Sequence, residues 1–163
     1  MLFDIHCHIL PAIDDGSKSM EETEKMLRMA RKERIGTILA TPHYNCEREP
    51  GFYKRCHNVY EEVCKMIREK NLGIQLYLGN EIFYSSGVLE ALKRGEALTL
   101  NHTKYVLVEF APYVELLTIK KAVQELQMAG YFPILAHIER YECLKKESEV
   151  QNLVDMGAYI QVN

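Results

Sequence analysis

Short apolar runs alternate along this chain with longer segments in which apolar residues recur every three or four positions. The short runs have the length of strands, and the longer segments have the period of amphipathic helices. Six strands are predicted, at 2–5, 37–41, 74–79, 105–110, 133–136 and 158–162. Helices are predicted at about 20–34, 52–70, 87–94, 117–129 and 145–156. This regular alternation is typical of an α/β fold with a parallel sheet, either open or closed into a barrel.

Several of the predicted helix ends carry recognised signals. Ser19-Met20-Glu21-Glu22 matches a capping box, and Gly36 is predicted to end the helix that this box begins. The inner face of that helix is predicted to carry Met26, Leu27, Met29 and Ala30. Gly73, Gly130 and Gly157 each precede a strand, at a position where a helix C-cap requires a positive φ.

Side chains that can bind metals follow the predicted strands. Since strand residues alternate between faces, His6 and His8 point the same way at the end of the first strand. The carboxyl ends of parallel strands meet at one shared edge, so the side chains at these ends should converge. The candidates are His6, His8, His43, Glu81, Glu109 and His137, with Asp15 in the loop after the first strand. Mixed imidazole and carboxylate ligands favour zinc, manganese or iron over calcium or magnesium.

With these motifs, the chain resembles the PHP superfamily of phosphoesterases. The resemblance is strongest to the bacterial protein-tyrosine phosphatases of capsule and exopolysaccharide biosynthesis, the CpsB/YwqE type. It spans the whole chain in order, and its motifs are His-x-His at 6–8, Asp-Asp-Gly at 14–16, Thr-Pro-His at 41–43, Asn-Glu at 80–81 and His-Ile-Glu-Arg-Tyr at 137–141. The resemblance implies an α/β fold that is a distorted parallel (βα) barrel of the PHP type.

The resemblance also implies a cluster of up to three metal ions. Mn²⁺ is the ion expected, with Zn²⁺, Fe²⁺ and Mg²⁺ as alternatives. By position, His6 and His8 match ligands of the first metal, and Glu81 matches the carboxylate that bridges the first and second metals. Glu109 and His137 match ligands of the second metal. Asp15 and His43 match ligands of the third metal. Arg140 matches the catalytic arginine that binds the substrate phosphate, for which its planar fork suits it.

Family members of this kind continue beyond the position of Asn163 and carry a late Asp-x-His motif that this chain lacks. The expected barrel is therefore incomplete at its C-terminus. The chain is a fragment, or another chain completes it, or it is degenerate. Of the three metals, only the second has all its matched ligands, Glu81, Glu109 and His137. The last strand is expected to form an unpaired edge that favours self-association into a homo-oligomer.

Composition limits the remaining possibilities. The 163 residues suffice for one domain, 1–163, without an internal boundary. A formal charge of -3 predicts no nucleic-acid partner, and no apolar stretch is long enough for a membrane span. Five cysteines without a signal peptide predict reduced thiols in the cytoplasm.

Cysteine-based phosphatase chemistry is excluded by the sequence. That mechanism requires a thiolate followed by five residues and an arginine. The residues six positions after the five cysteines are Ile13, Phe52, Glu62, Lys70 and Glu149, and none is arginine.

Three functions stay open at this point. The leading hypothesis is metal-dependent hydrolysis of phosphotyrosine on a bacterial tyrosine kinase that regulates capsule or exopolysaccharide biosynthesis. Any membrane contact would then be indirect, through the kinase. The first alternative is a PHP phosphatase for a small phosphate monoester such as histidinol phosphate. The second is an inactive, truncated domain that only binds its partner.

Overall fold

The architecture comes from a computed structural model that describes residues 2–46 and 51–163. The strands are β1 (Leu2–Cys7), β2 (Ile35–Ala40), β3 (His43–Tyr44), β4 (Gln75–Leu78), β5 (Glu81–Phe83), β6 (Tyr105–Glu109), β7 (Phe132–Leu135) and β8 (Tyr159–Ile160). The helices are α1 (Met20–Lys32), α2 (Phe52–Glu69), α3 (Val88–Arg94), α4 (Leu116–Met128) and α5 (Glu147–Asp155). Three short 3₁₀ turns cover Leu100–His102, Ile138–Arg140 and Glu142–Leu144.

The strands form two parallel sheets. One has the order β1-β2-β4 and the other the order β3-β5-β6-β7-β8, and every pairing in both is parallel. This confirms the predicted mixed α/β class. Among the residues that the structure describes, the two sheets do not join into a closed barrel, and β1 and β8 remain at open edges.

The described chain has eight strands where six were predicted. The two additional strands, β3 and β5, are only two and three residues long, which is too short to show an alternating pattern. Pro42, which has no N–H to donate, lies between β2 and β3, and the pair Gly79-Asn80 lies between β4 and β5. As a result, His43 and Glu81 begin new strands and pair with each other, instead of trailing the preceding strands.

The first helix confirms its predicted start and corrects its predicted end. The Ser19 side chain accepts a hydrogen bond from the backbone N–H of Glu22, as expected of an N-cap. The helix ends at Lys32 because Arg34 adopts a left-handed φ of 66°, so Gly36, the predicted terminator, lies within β2. Met29 was predicted to face inward, but its side chain is exposed.

The three predicted C-cap glycines behave as expected. Gly73, Gly130 and Gly157 have φ values of 67°, 87° and 93°, a range that costs glycine little and other residues more. Each reverses the chain between a helix and the next strand, so the strands all run in one direction. Within each sheet, the carboxyl ends of the strands therefore lie at the same edge.

The hydrophobic core lies between the sheets and the helices. Fully buried residues come from all five helices and the central strands, among them Leu27, Val63, Val88, Val123 and Leu153. Burial of each such side chain contributes roughly 1.5–3 kcal/mol, which fixes the elements that carry the polar edge. Within the described residues, no helix combines the length and the apolar content needed to cross a membrane.

Candidate metal centre

Most of the predicted ligands converge where the carboxyl ends of β1, β6 and β7 approach the first residues of β3 and β5. The Nε2 atoms of His6 and His8 lie 3.2 Å apart, which confirms that the two rings share one face of β1. The converging side chains are those of His6, His8, His43, Glu81, Glu109 and His137. Asp15 lies at the margin, 79% exposed, with Oδ1 at 3.4 Å from Nε2 of His43.

Glu81 is the centre of this cluster and is completely buried. Its Oε1 lies 2.7 Å from Nε2 of His137, with which it is hydrogen-bonded. Its Oε2 lies 3.0 Å from Nε2 of both His6 and His8. Nδ1 of His43 is 3.1 Å from the same oxygen and 2.8 Å from Oε1 of Glu109. One carboxylate is thus surrounded by four imidazoles.

The second oxygen of Glu81 lacks the hydrogen bonds that its surroundings would suggest. Among the described residues, Oε2 is a buried side-chain atom without a hydrogen-bond partner, although three imidazole nitrogens lie within 3.1 Å of it. A buried carboxylate oxygen in that condition is costly unless a cation satisfies it. The residues present therefore fit a bound metal ion.

Asp14 controls the direction in which His8 presents its ring. Oδ2 of Asp14 lies 2.7 Å from Nδ1 of His8 and accepts a hydrogen bond from the backbone N–H of His43. Its Oδ1 accepts from the backbone N–H of Gly16. A carboxylate that holds Nδ1–H leaves Nε2 free to bind a metal, as in many histidine-ligated metal sites.

The pKa values of His8, His137 and Glu81 show that the carboxylates of this cluster favour positive charge on the neighbouring rings. Burial opposes protonation of His8, but its hydrogen bond to Asp14 and the nearby negative charge of Glu81 raise its pKa to about 10. Burial likewise opposes protonation of His137, whose pKa is raised to about 9 by Glu109 and Glu81. The pKa of Glu81 is lowered against the effect of burial by its histidine neighbours. In the metal-free protein, protons on the rings supply the charge that a metal would otherwise supply.

Three overlapping groups of side chains have ligand atoms within 4.8 Å of one another. They are His6, His8 and Glu81; His8, Asp15 and His43; and His43, Glu81 and Glu109. The first group matches the set that the resemblance implied for the first metal. In the others, His43 takes the place expected of His137, and His8 joins the pair Asp15 and His43.

Arg140 lies beside the cluster but outside it. It ends the 3₁₀ turn that follows His137, and its backbone N–H donates to the His137 carbonyl at 3.0 Å. The side chain is exposed, and none of the described residues forms a hydrogen bond or ion pair with its guanidinium group. This guanidinium is free to bind an anion at the edge of the cluster.

The cysteine next to the cluster is not suited to nucleophilic chemistry. Cys7 packs against the hydrophobic core, on the face of β1 opposite His6 and His8. Burial, helped by the nearby Asp4, raises the pKa of its thiol to about 12. A neutral thiol is a poor nucleophile, in agreement with the absence of the Cys-x₅-Arg motif.

For three residues that contact the predicted ligands, the sequence had not predicted that contact. Asp14 holds His8, the Tyr141 hydroxyl lies 3.4 Å from Nδ1 of His137, and Gln161 contacts His6. Asp14 carried a signal, since it is one of two adjacent aspartates after a His-x-His strand. Tyr141 closes the His-Ile-Glu-Arg-Tyr motif, and Gln161 lies in a segment that also matches the family, but neither position indicated which ligand the side chain would contact, because those contacts depend on the tertiary structure.

Comparisons with known proteins agree with this architecture. A family model described as "Capsular polysaccharide synthesis, CpsB/CapC" matches residues 2–163. The tyrosine-protein phosphatase CpsB of Streptococcus pneumoniae is 35% identical over 167 residues, which cover 99% of this chain and 67% of that protein. The tyrosine-protein phosphatase YwqE of Bacillus subtilis (strain 168) is also 35% identical, with 99% and 64% covered.

A solved structure matches the fold as well. It comes from work on YwqE of Bacillus subtilis and CpsB of Streptococcus pneumoniae, described as unique metal-dependent tyrosine phosphatases. The TM-score is 0.88 at 33% identity, and the match covers 99% of this chain and 66% of the other. The chain thus spans about two thirds of the length of these relatives. From its matched length and its identity to these phosphatases, the chain belongs to the CpsB/CapC family of capsular polysaccharide synthesis.

Proposed function

We propose that this chain binds metal ions and hydrolyses phosphotyrosine. The observation that carries the proposal is the buried Oε2 of Glu81, which has three imidazole nitrogens within 3.1 Å and no hydrogen bond from any described residue. Structural packing alone gives no reason to bury such an atom. The names of the relatives, all tyrosine-protein phosphatases, supply the substrate class.

The proposed ligands are those of the three groups found in the structure, together with His137. His6, His8 and Glu81 would hold one ion, and Glu81 would bridge it to a second, held with Glu109 and with His43 or His137. Asp15 and His43 would contribute to a third. Mn²⁺ is the proposed ion, with Zn²⁺ and Fe²⁺ as the next candidates, because imidazole-rich sites suit them better than Mg²⁺.

The metal ions and the side chains around them would have separate roles in binding the phosphate and in activating water. When bound, divalent ions polarise phosphoryl oxygens and lower the pKa of a coordinated water from 15.7 toward about 7. Arg140 would bind the phosphate through two parallel N–H groups and offset the charge that builds up in the transition state. Asp14 would keep Nε2 of His8 directed into the centre. A phenolate leaves readily, so tyrosine phosphate requires less help from a general acid.

Several broader features belong to the same proposal. The two parallel sheets would be the described part of a distorted PHP-type barrel, and residues 1–163 would act as one domain, since one large core cluster spans both sheets and all five helices. The proposed partner is a bacterial tyrosine kinase of capsule synthesis, with membrane contact only through it. Cys7, Cys46, Cys64 and Cys143 are free thiols, which suits a cytoplasmic location. Exposed Leu2 and Phe3 at the open edge of β1 favour self-association.

The test is hydrolysis of a tyrosine-phosphorylated peptide by the purified, Mn²⁺-loaded chain. We expect release of phosphate that a chelator abolishes and added Mn²⁺ restores. Arg140→Lys should lower kcat/KM about tenfold, mainly through KM, because a lysine cannot bind phosphate oxygens as a fork. Arg31→Lys, at the opposite end of the strands, is the matched control and should have no effect.

Other outcomes would redirect the proposal. Faster turnover of histidinol phosphate than of the peptide would mean that the substrate is a small phosphate monoester and not phosphotyrosine in a protein. Bound Mn²⁺ and a bound phosphopeptide without hydrolysis would identify a non-catalytic binding domain. Failure to bind any divalent ion would contradict the metal centre itself.

A further inference from the structure

Gln161 joins two strands that no backbone hydrogen bond connects. Its backbone N–H donates to the carbonyl of Leu135 at 2.9 Å, and its carbonyl accepts from the N–H of Ile138, so its main chain is fixed beside β7. In the described residues, β8 pairs only with β7 and β1 only with β2. The side chain of Gln161 nevertheless reaches His6 in β1, with Oε1 at 3.2 Å from Nδ1.

The orientation of the Gln161 amide follows from its other partners. Its nitrogen donates to the Val162 carbonyl at 2.8 Å and to Oδ1 of Asn163 at 3.0 Å. Its oxygen accepts from the backbone N–H of His137 at 2.7 Å. A backbone N–H can only donate, so the atom facing it is the oxygen, and the oxygen also faces His6.

This orientation assigns the tautomer of His6. An amide oxygen cannot donate a hydrogen bond, so Nδ1 of His6 must carry the hydrogen of that contact. In the neutral ring the lone pair is then on Nε2, which lies 3.0 Å from Oε2 of Glu81 and 3.2 Å from Nε2 of His8. That is the arrangement a metal ligand requires.

The same oxygen also holds His137 at an unusual backbone position. His137 has a left-handed φ of 35°, which a residue other than glycine adopts only when its surroundings hold it there. Its backbone N–H is bound by Gln161, and its Nε2 faces Oε1 of Glu81 at 2.7 Å. One acceptor atom therefore acts on two predicted ligands, one from each side of the open seam between β1 and β8.

We propose that Gln161 is a positioning residue of the metal centre. Its amide oxygen fixes the Nδ1–H tautomer of His6 and the backbone of His137, so that both rings direct Nε2 toward Glu81. This inference rests on the metal centre of the proposed function. Loss of such an outer partner typically lowers metal affinity by about 10–100-fold, and we expect that range for Gln161→Leu, which keeps the size and removes the acceptor.

The first experiment measures Mn²⁺ and Zn²⁺ affinity by calorimetry for wild type, Gln161→Leu, Gln161→Glu and Gln151→Leu. Gln161→Glu retains an acceptor oxygen and should bind closer to wild type than to Gln161→Leu. Gln151 is exposed and its amide bonds only Asp155 among the described residues, so Gln151→Leu is the matched control and should bind like wild type. Equal affinity of wild type and Gln161→Leu would overturn the inference and leave the metal centre standing.

The second experiment uses the unaltered chain, so it does not depend on how the variants fold. Nitrogen-15 chemical shifts of His6 should show hydrogen on Nδ1 both in the metal-free protein at high pH and in the diamagnetic Zn²⁺ form. Hydrogen on Nε2 in the metal-free protein would overturn the assignment. Wild type that binds neither ion would overturn the metal centre, and this inference with it.

Discussion

Charged side chains lie at both ends of the parallel strands, but the two ends hold them differently. At the metal centre, Glu81 is fully buried among histidines, and one of its oxygens lacks a hydrogen bond from the described residues. At the opposite end, a distal basic cluster of Arg28, Arg31, Lys32 and Lys70 is exposed to solvent. There, Glu24 forms ion pairs with both Arg28 and Lys70.

The difference separates charge that implies a ligand from charge that does not. An exposed ion pair is screened by water and salt and requires no other partner. A buried carboxylate surrounded by imidazoles is costly unless protons or metal ions neutralise it. Both ends carry enough charge to be candidate binding sites. Within the part of the chain that the structure describes, only the end with Glu81 also has a buried carboxylate oxygen without a hydrogen bond, and this identifies it as the candidate metal site.

The largest loss of Mn²⁺ affinity is expected from Glu81→Gln. The substitution keeps the size of the side chain and removes the negative charge around which the imidazoles converge. We expect Mn²⁺ affinity to fall by more than about 100-fold, beyond the range typical of outer partners. Calorimetric titration of the purified chain measures this.

Glu24→Gln is the matched control, because it makes the same chemical change within the distal basic cluster. Its Mn²⁺ affinity should equal that of wild type. A loss of less than tenfold for Glu81→Gln, or an equal loss for both variants, would contradict the central role of Glu81.

A second, smaller effect is expected from Gly16→Ala. A Cβ at this position would lie 2.1 Å from the carbonyl oxygen of His8 and 2.4 Å from its Cβ, so the loop or the ligand must shift. We expect a loss of about 1–3 kcal/mol in the free energy of unfolding, together with weaker Mn²⁺ binding. Denaturant unfolding of the metal-free protein and calorimetry measure the two quantities separately.

Gly95→Ala separates general destabilisation from damage to the site. Gly95 has a φ of 70°, and a Cβ there would meet no atom within 4 Å. The alanine should cost about 1–2 kcal/mol through its left-handed backbone and leave Mn²⁺ affinity unchanged. If Gly16→Ala weakened the fold and kept full metal affinity, the close packing of this loop would have no bearing on the site.

The sequence was a good guide to the parts of the molecule governed by local pattern. All five helices and the parallel direction of the strands followed from periodicity and from glycines such as Gly130 and Gly157. The common face of His6 and His8 followed from strand alternation. β3 and β5 were missed because a strand of two or three residues contains too little of a period to recognise.

The contacts of the residues around the ligands could not be predicted, for a different physical reason. The contact of Gln161 with His6 spans 155 positions and depends on how β1 and β8 approach each other. No local pattern in the sequence encodes that approach. The exchange of His43 for His137 in one ligand group has the same origin, since it depends on the pairing of His43 with Glu81 across two strands that were not predicted.

The smallest effect is expected from Lys70→Gln in the distal basic cluster. Lys70 forms an ion pair with Glu24, and about half of its side chain is exposed. Because water and salt already screen such a pair, we expect no measurable change in the denaturant midpoint or in Mn²⁺ affinity at physiological ionic strength. The same measurements at low salt should show the largest difference between variant and wild type, since the screening length is then longest. A drop in Mn²⁺ affinity at physiological salt would mean that the field of the distal basic cluster reaches the metal centre, and burial alone would then no longer distinguish the two ends of the molecule.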